Sequence, residues 1–266
     1  MMKKVLLTLA IMSLAVSPVL AFDLGGYSGQ VIFDFQNYDA GTIWPSSFSN
    51  GSDGNTDSFA LLTIQSISDQ SSNVIWSQTA AEAIEGIAYG IDDDDVLVVP
   101  GSPTFYGINS VGGKVDLYIG TRDLLLGALP PSMPYAGLGA PADSWNATNG
   151  TPFLSLDFVS GIDLDNTTYQ SSFTINSAGA IAGSGQGYMK VVGGTYASLF
   201  DSNAYDSFYP GADFYFFNGY DNRQQSFGFL VRSDGTAEGN VIPEPASMIL
   251  MGIGLAGAAR LRRRTA

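Results

Sequence analysis

An all-β fold, an antiparallel β-sandwich of about eleven short strands with one short helix, is what this 266-residue sequence predicts, on three observations. Apolar and polar residues alternate with period two in one stretch after another. Clusters of Gly, Asn, Asp, Ser and Pro separate those stretches. No long segment of helical period lies between them to serve as a parallel crossover.

The elements follow in order. Val31, Phe33 and Phe35 share one face of a strand, with Gln30, Ile32 and Asp34 on the other, and the polar segment 46–58 separates it from a strand over Phe59–Ile67 and its hairpin partner Asn73–Gln78. In Thr79–Ile91 the spacing of Ala80, Ala81, Ala83, Ile84 and Ile87 predicts the one short helix, with Asp92–Asp95 ending it. Strands are expected at 96–99, 104–109 and 114–119, where Val115, Leu117 and Ile119 alternate with Lys114, Asp116 and Tyr118. Residues 127–152 hold five of the twelve prolines and read as loop. Leu154, Leu156 and Phe158 resume the sheet, followed by 169–175, the Gly-rich 179–187, then strands at 188–192, 212–217 and 226–232, with Ser233–Thr236 as a turn. FDFQNYD at 33–39 and YFFNGYD at 215–221 are locally alike.

Two further segments bracket this body. Lys3 and Lys4 precede an apolar run from Val5 to Val16, then Pro18 and the small-residue site Val19-Leu20-Ala21, which reads as a secretory signal helix cleaved between Ala21 and Phe22. At the other end the triplet Pro243, Glu244, Pro245 is followed by an apolar run from Ala246 to Ala259, broken only by Ser247, and by Arg260, Arg262, Arg263 and Arg264. As a helix that run measures about 21 Å, short of the ~30 Å hydrocarbon core, so it suits transient insertion better than permanent anchorage. The arginines hold their end in the cytoplasm. The division is therefore 1–21 signal, 22–242 exported domain, and 243–266 a tail with a membrane-like helix.

The tail resembles the PEP-CTERM sorting signal of bacterial surface proteins. Pro243–Pro245 match the motif, Ile249–Ala259 its helix, and Arg260 with Arg262–Arg264 its basic end. The resemblance implies processing near the motif by the membrane enzyme exosortase, after signal peptidase has acted at Ala21–Phe22, and delivery to the cell surface or extracellular matrix. A second stretch, Gly185–Asn203, resembles a segment of exosortase-dependent proteins associated with flocculation, through Gly187, Val191, Gly193, Gly194, Phe200, Asp201 and Asn203. That implies kinship of the exported domain and no catalytic role.

Charge and composition narrow the function. Setting aside Glu244, Lys3, Lys4 and the four tail arginines leaves 24 acidic and 5 basic residues, a net charge of about −19 on the exported domain. Nucleic acid is excluded as a partner, because phosphate binding needs clustered Lys and Arg. With no Cys, stability rests on the core, to which aromatics at 12% contribute large buried areas. With no His or Cys, catalytic triads, thiol chemistry and imidazole-bound zinc are ruled out.

What chemistry remains is thin. Lys114 and Lys190 are possible amine bases, but on alternating strands they read as solvated. Glu82 and Glu85 would share a helix face at i and i+3, too close to flank a glycosidic bond. Asp53, Asn55 and Asp57 place oxygens at alternate positions, as in the first half of a calcium loop; Ser58 and Ile64 then stand where its glycine and glutamate should be. Trp44, Trp76, Trp145 and the cluster Phe208, Tyr209, Tyr215, Phe216, Phe217 and Tyr220 offer rings for stacking on sugars. The reading is a non-catalytic, exported surface protein of exopolysaccharide, floc or biofilm. Its alternatives are a carbohydrate- or calcium-binding module and, behind that, a carboxylate-based glycoside-active enzyme.

Overall fold

The computed structural model describes Phe22, Leu24 and residues 26–41, 58–121, 150–163, 166–207, 209–221 and 231–242. It places there β1 (Gly29–Gly41), β2 (Ser58–Asp69), β3 (Val74–Ser77), β4 (Ala83–Val99), β5 (Thr104–Gly120), β6 (Thr151–Val159), β7 (Tyr169–Ile175), β8 (Ile181–Gly193), the single helical turn α1 (Ala197–Phe200), β9 (Phe214–Asp221) and β10 (Val231–Val241). The order β1-β10-β9-β8-β6-β5-β4-β2 returns to its start, because β1 is hydrogen-bonded to both β10 and β2. The sheet is a closed eight-stranded barrel, which overturns the expected sandwich.

Two strands stand off the ring, and both are parts of interrupted strands. β6 and β7 each run antiparallel to β5 and to β8, at different heights. In the same way β3 and β4 both run antiparallel to β2. Counting each such pair as one, every strand lies beside its sequence neighbours, and the topology is an up-and-down meander.

The expected short strands fail at glycines. β4 and β5 are continuous over 17 residues each and pass through Gly90, Gly112 and Gly113 at positive φ. There the pleat slips: β5 buries Tyr106, Ile108 and Ser110 before the glycines and Val115, Leu117 and Ile119 after them. Such glycine kinks bend a long strand instead of ending it, and curvature of this kind lets a sheet close. The glycine of the expected turn at Ser233–Thr236 belongs to β10, where a Cβ on Gly235 would come within 2.4 Å of the Phe35 ring. It provides room for a ring and turns nothing.

The expected helix over Thr79–Ile91 is also absent. Ala83, Ile84, Glu85, Gly86, Ile87 and Ala88 are consecutive residues of β4 and all are buried. A strand covered on both faces loses its alternation, and its apolar spacing then imitates a helix. Asp92–Asp95 lie inside the same strand. FDFQNYD and YFFNGYD fall on β1 and β9 with opposite phase, since Phe33 and Phe35 point inward while the matching Tyr215 and Phe217 do not, so the likeness is no structural repeat. The loop 46–57, most of 127–152, residues 226–230, the signal helix and the membrane-like helix lie outside the described residues. Among the described residues no helix is long and apolar enough to cross a membrane.

On β1, β5 and β6 the inward face is the one that alternation predicted. Phe33, Phe35, Leu62, Ile64, Val115, Leu117, Leu154, Leu156, Met189, Phe214 and Phe216 converge on the axis and leave a cavity of about 30 Å³, room for about one water. Phe35 stacks on Phe216 at 4.9 Å, and Phe33 meets Phe200 and Phe214 edge-on at 5.5 and 5.6 Å. Eight strands make an interior that side chains can fill, and here they do. Apolar-in and polar-out, with Lys114, Asp116 and Asp157 on the wall, is the reverse of a lipid-embedded barrel.

One pole is plugged by the start of the described chain. Phe22 is buried, packs on Phe153, Tyr196 and Trp76 at 4.8, 5.3 and 6.1 Å, and its backbone N–H donates to Tyr196 Oη at 3.2 Å. Beside it α1 is held by Asp213, whose buried carboxylate accepts backbone N–H bonds from Val191 (2.7 Å), Ser202 (2.7 Å) and Asn203 (2.6 Å). Burial pushes the Asp213 carboxyl above its ordinary value, and the three donors pull the other way. Replacing it removes the shared acceptor of three part-buried backbone donors. The expected loss for Asp213→Ala is about 3 kcal/mol, or roughly 6–12 °C in Tm by calorimetry.

Candidate functional site

Because the barrel is filled, any binding site must lie on its outside. Beyond the last pairing of β4 with β2, at Ile91–Ser58, residues 92–99 of β4 and 104–110 of β5 continue with β7 and the first half of β8 as a four-stranded apron. Register aligns their outward residues in rows. Asp95, Asn109, Gln170 and Gln186 form the first; Leu97, Gly107, Ser172 and Ser184 the second; Val99, Phe105, Thr174 and Ala182 the third. The opposite face carries Tyr106 stacked on Phe173 at 5.2 Å and the Tyr169–Tyr220 hydroxyl pair at 2.9 Å. A Cβ on Gly185 would lie 1.8 Å from Tyr169 Oη, which is why β8 is glycine there.

The first two rows, with Phe105 of the third, line a groove of about 500 Å³, within the range of ligand sites. Gly107 forms its floor. Asp163, from the detour between β6 and β7, forms one lip and accepts hydrogen bonds from Asn109 Nδ2 (3.1 Å) and Gln170 Nε2 (3.3 Å), while Gln170 Nε2 also reaches Asn109 Oδ1 at 3.2 Å. These long bonds hold the amides in place and leave much of their donor and acceptor capacity unused. Asp95 and Asp163 are the ionisable residues of the lining, which contains no Lys or Arg. Exposed Leu97 and Phe105 supply apolar surface beside the polar row. Amides with planar forks, carboxylates, hydroxyls and an apolar flank can take a neutral, polyhydroxylated ligand; an anionic polymer would be repelled.

The groove runs on to a tyrosine cluster. Tyr215 Oη donates to Gln186 Oε1 at 3.0 Å, and Tyr188 is stacked on Tyr209 at 3.9 Å with Tyr205 at 5.6 Å and Tyr215 at 5.1 Å. Burial, then the Glu238 carboxylate, pushes Tyr205 up to about 12; burial alone leads for Tyr188 and Tyr215, which are also raised. Across the barrel Tyr89, half-buried and donating to Asp116 Oδ2 at 2.8 Å, is pushed up to about 12 by burial first and by Asp116 second.

The residues singled out by sequence are scattered. Lys114 and Lys190 flank Asp157 on the outer wall, where Lys114 Nζ lies 3.6 Å from its carboxylate as an ion pair and Lys190 is exposed. Glu82 accepts from Trp76 Nε1 at 2.7 Å and Glu85 is buried within β4; the two share no helix face. Asp93 is buried and accepts from Ser110 Oγ at 2.9 Å, and Asp95 alone of the aspartate run reaches the groove. Trp76 and Phe216 are core, Phe217 is exposed, and Tyr209 and Tyr215 belong to the cluster. Asp53, Asn55, Asp57, Trp44, Trp145, Phe208, Ala21, Pro243–Pro245 and the arginines lie outside the described residues. Among the described residues no group of three or more Asp or Glu is placed to hold a metal. Asn109, Asp163, Gln170 and Gln186 were not singled out: they come from three strands and a loop, and only register unites them. The one signal of Asn109, Gln170 and Gln186 was uncharged polarity on outward positions.

Raised tyrosines have a sign that can be checked. Tyr89 and Tyr205 hold their protons more tightly folded than unfolded, so their contribution to stability is full below about pH 10 and is lost as pH rises through about 12. Phenolate absorbance at about pH 11 should therefore show at least two of the 13 tyrosines still protonated, and their ionisation should coincide with unfolding.

Residues 241–264 match the family model of the PEP-CTERM protein-sorting motif. No curated protein and no solved structure matches the chain.

Proposed function

A chain with the PEP-CTERM motif at 241–264 is an exosortase-targeted surface protein of a bacterium, and from that premise we propose that its barrel is a non-catalytic module that holds a neutral strand of extracellular polysaccharide in the apron groove. One observation carries this reading: the row Asp95–Asn109–Gln170–Gln186, fixed by register and by Asp163, beside exposed Phe105 and Leu97. Vicinal hydroxyls match the forks of amides and carboxylates, and the apolar face of a sugar ring matches an aromatic flank. The lack of cations in the lining sets neutral polymers above uronic-acid polymers. A closed sheet with a filled interior is a rigid support for such a row.

The groove lies at the pole opposite Phe22 and Ile242, so a chain held at its sorting tail would present it away from the membrane. That placement favours adhesion within a matrix or floc over an intracellular role. A calcium-dependent variant of the same role is distinguished by melting temperature. Calcium that raises Tm where equal ionic strength of sodium does not would mark a specific site.

The test uses the processed protein with soluble neutral glucan, mannan and galactan, a polyuronate as the anionic control, and a Gly107→Phe variant. A Cβ at Gly107 meets nothing nearer than 3.6 Å, so the larger ring fills the groove and spares the fold. Binding of one neutral polymer, weakened at least ~10-fold by Gly107→Phe with Tm kept and no new reducing ends, is the expected result. Binding that ignores Gly107→Phe, or none to any neutral polymer, would overturn the reading. Separately, deleting residues 243–266 should abolish surface delivery, followed by fractionation and mass.

A further inference from the structure

The matched sorting motif begins inside the barrel. Val241 is the last residue of β10, paired with Gly29 of β1 and 5% exposed, and Ile242 donates its backbone N–H to Leu199 O of α1 at 2.8 Å. Both belong to the stretch 241–264 that carries the motif, and Pro243 follows at once. The closing strand therefore runs to within one residue of the Pro-Glu-Pro triplet with no linker between.

An enzyme that cuts a peptide must bind several residues around the bond in extended, accessible form. For a bond before Ile242 those residues are Asn240, Val241 and their neighbours, which close the barrel seam against Gln30 and Gly29. Reaching them means opening the β1–β10 ladder at the pole where Phe22 and α1 are also seated. For a bond after Ile242 the fold need not open at all.

We infer that the folded barrel sets the N-terminal limit of exosortase processing: the cut falls on the C-terminal side of Ile242, and the enzyme meets the plugged pole, around α1 and the end of β10, at close quarters. The fold then acts as a stop as well as a passenger. This rests on the sorting motif and on the seam, and is independent of what the groove binds.

Trypsin makes the end point legible, because after Arg232 the next basic residue is Arg260. The mass of the peptide starting at Ser233, from protein recovered at the surface of the producing cells, gives the mature C-terminus directly. A peptide that retains Ile242 and ends at or beyond it, short of Arg260, is expected; one ending at Val241 or earlier, or one still running to Arg260, would overturn the inference. A second arm inserts Gly-Ser-Gly-Ser-Gly-Ser between Asn240 and Val241, which leaves the matched stretch 241–264 unbroken. With the barrel moved away from the joint, conversion of precursor to mature form in a pulse-chase should speed about threefold or more, the order expected when a few contacts cease to obstruct a step. An unchanged or slower conversion would remove the claim that the pole crowds the enzyme.

Discussion

Everything in this molecule depends on the β1–β10 ladder, which runs from Gly29 opposite Val241 to Asp39 opposite Val231 and turns a meander into a ring. With β1 also paired to β2, neither end strand is left as a long open edge. The ladder brings Phe22 and Ile242 to one pole, where both are fastened to the α1 segment. It also fixes the radius within which the aromatic interior must fit. A chain without disulfides relies on that fit, and Phe35 on Phe216, next to the space kept by Gly235, shows how little tolerance remains.

Glycine has two structural tasks in this chain that composition cannot separate. At Gly112 and Gly113 positive φ lets a long strand change its buried face. At Gly185 and Gly235 extended backbone simply leaves room for a tyrosine or phenylalanine ring. Both look like turns in sequence. That is why alternation located the inward residues of β1, β5 and β6 correctly while the count and length of strands came out wrong, and why a sandwich of short strands was expected in place of a barrel of long ones. Residues 83–88 were lost for a related reason, since burial on both faces removes the pattern by which a strand is recognised.

The address was more readable than the site. Pro243–Pro245, the apolar run and the arginines are contiguous, so a local reading suffices. The groove is assembled from Asp95, Asn109, Gln170 and Gln186, drawn from four strands spread over ninety residues of chain. No local pattern encodes the alignment of one strand's register with the next. The acidic run Asp92–Asp95 illustrates the same limit: four identical residues end up buried, bonded, bulged or facing the groove according to their place on a bent strand.

The break between β6 and β7 has a consequence for how such proteins can diversify. Both halves are clamped by β5 and β8, while the described residues of the intervening detour, with Asp163 at the mouth of the groove, belong to no strand. Lengthening, shortening or recolouring that detour alters what the apron can grip and leaves every register of the ring in place. Selection can thus reshape the groove in one short segment at little risk to foldability, and an engineer could graft a foreign loop at the same spot.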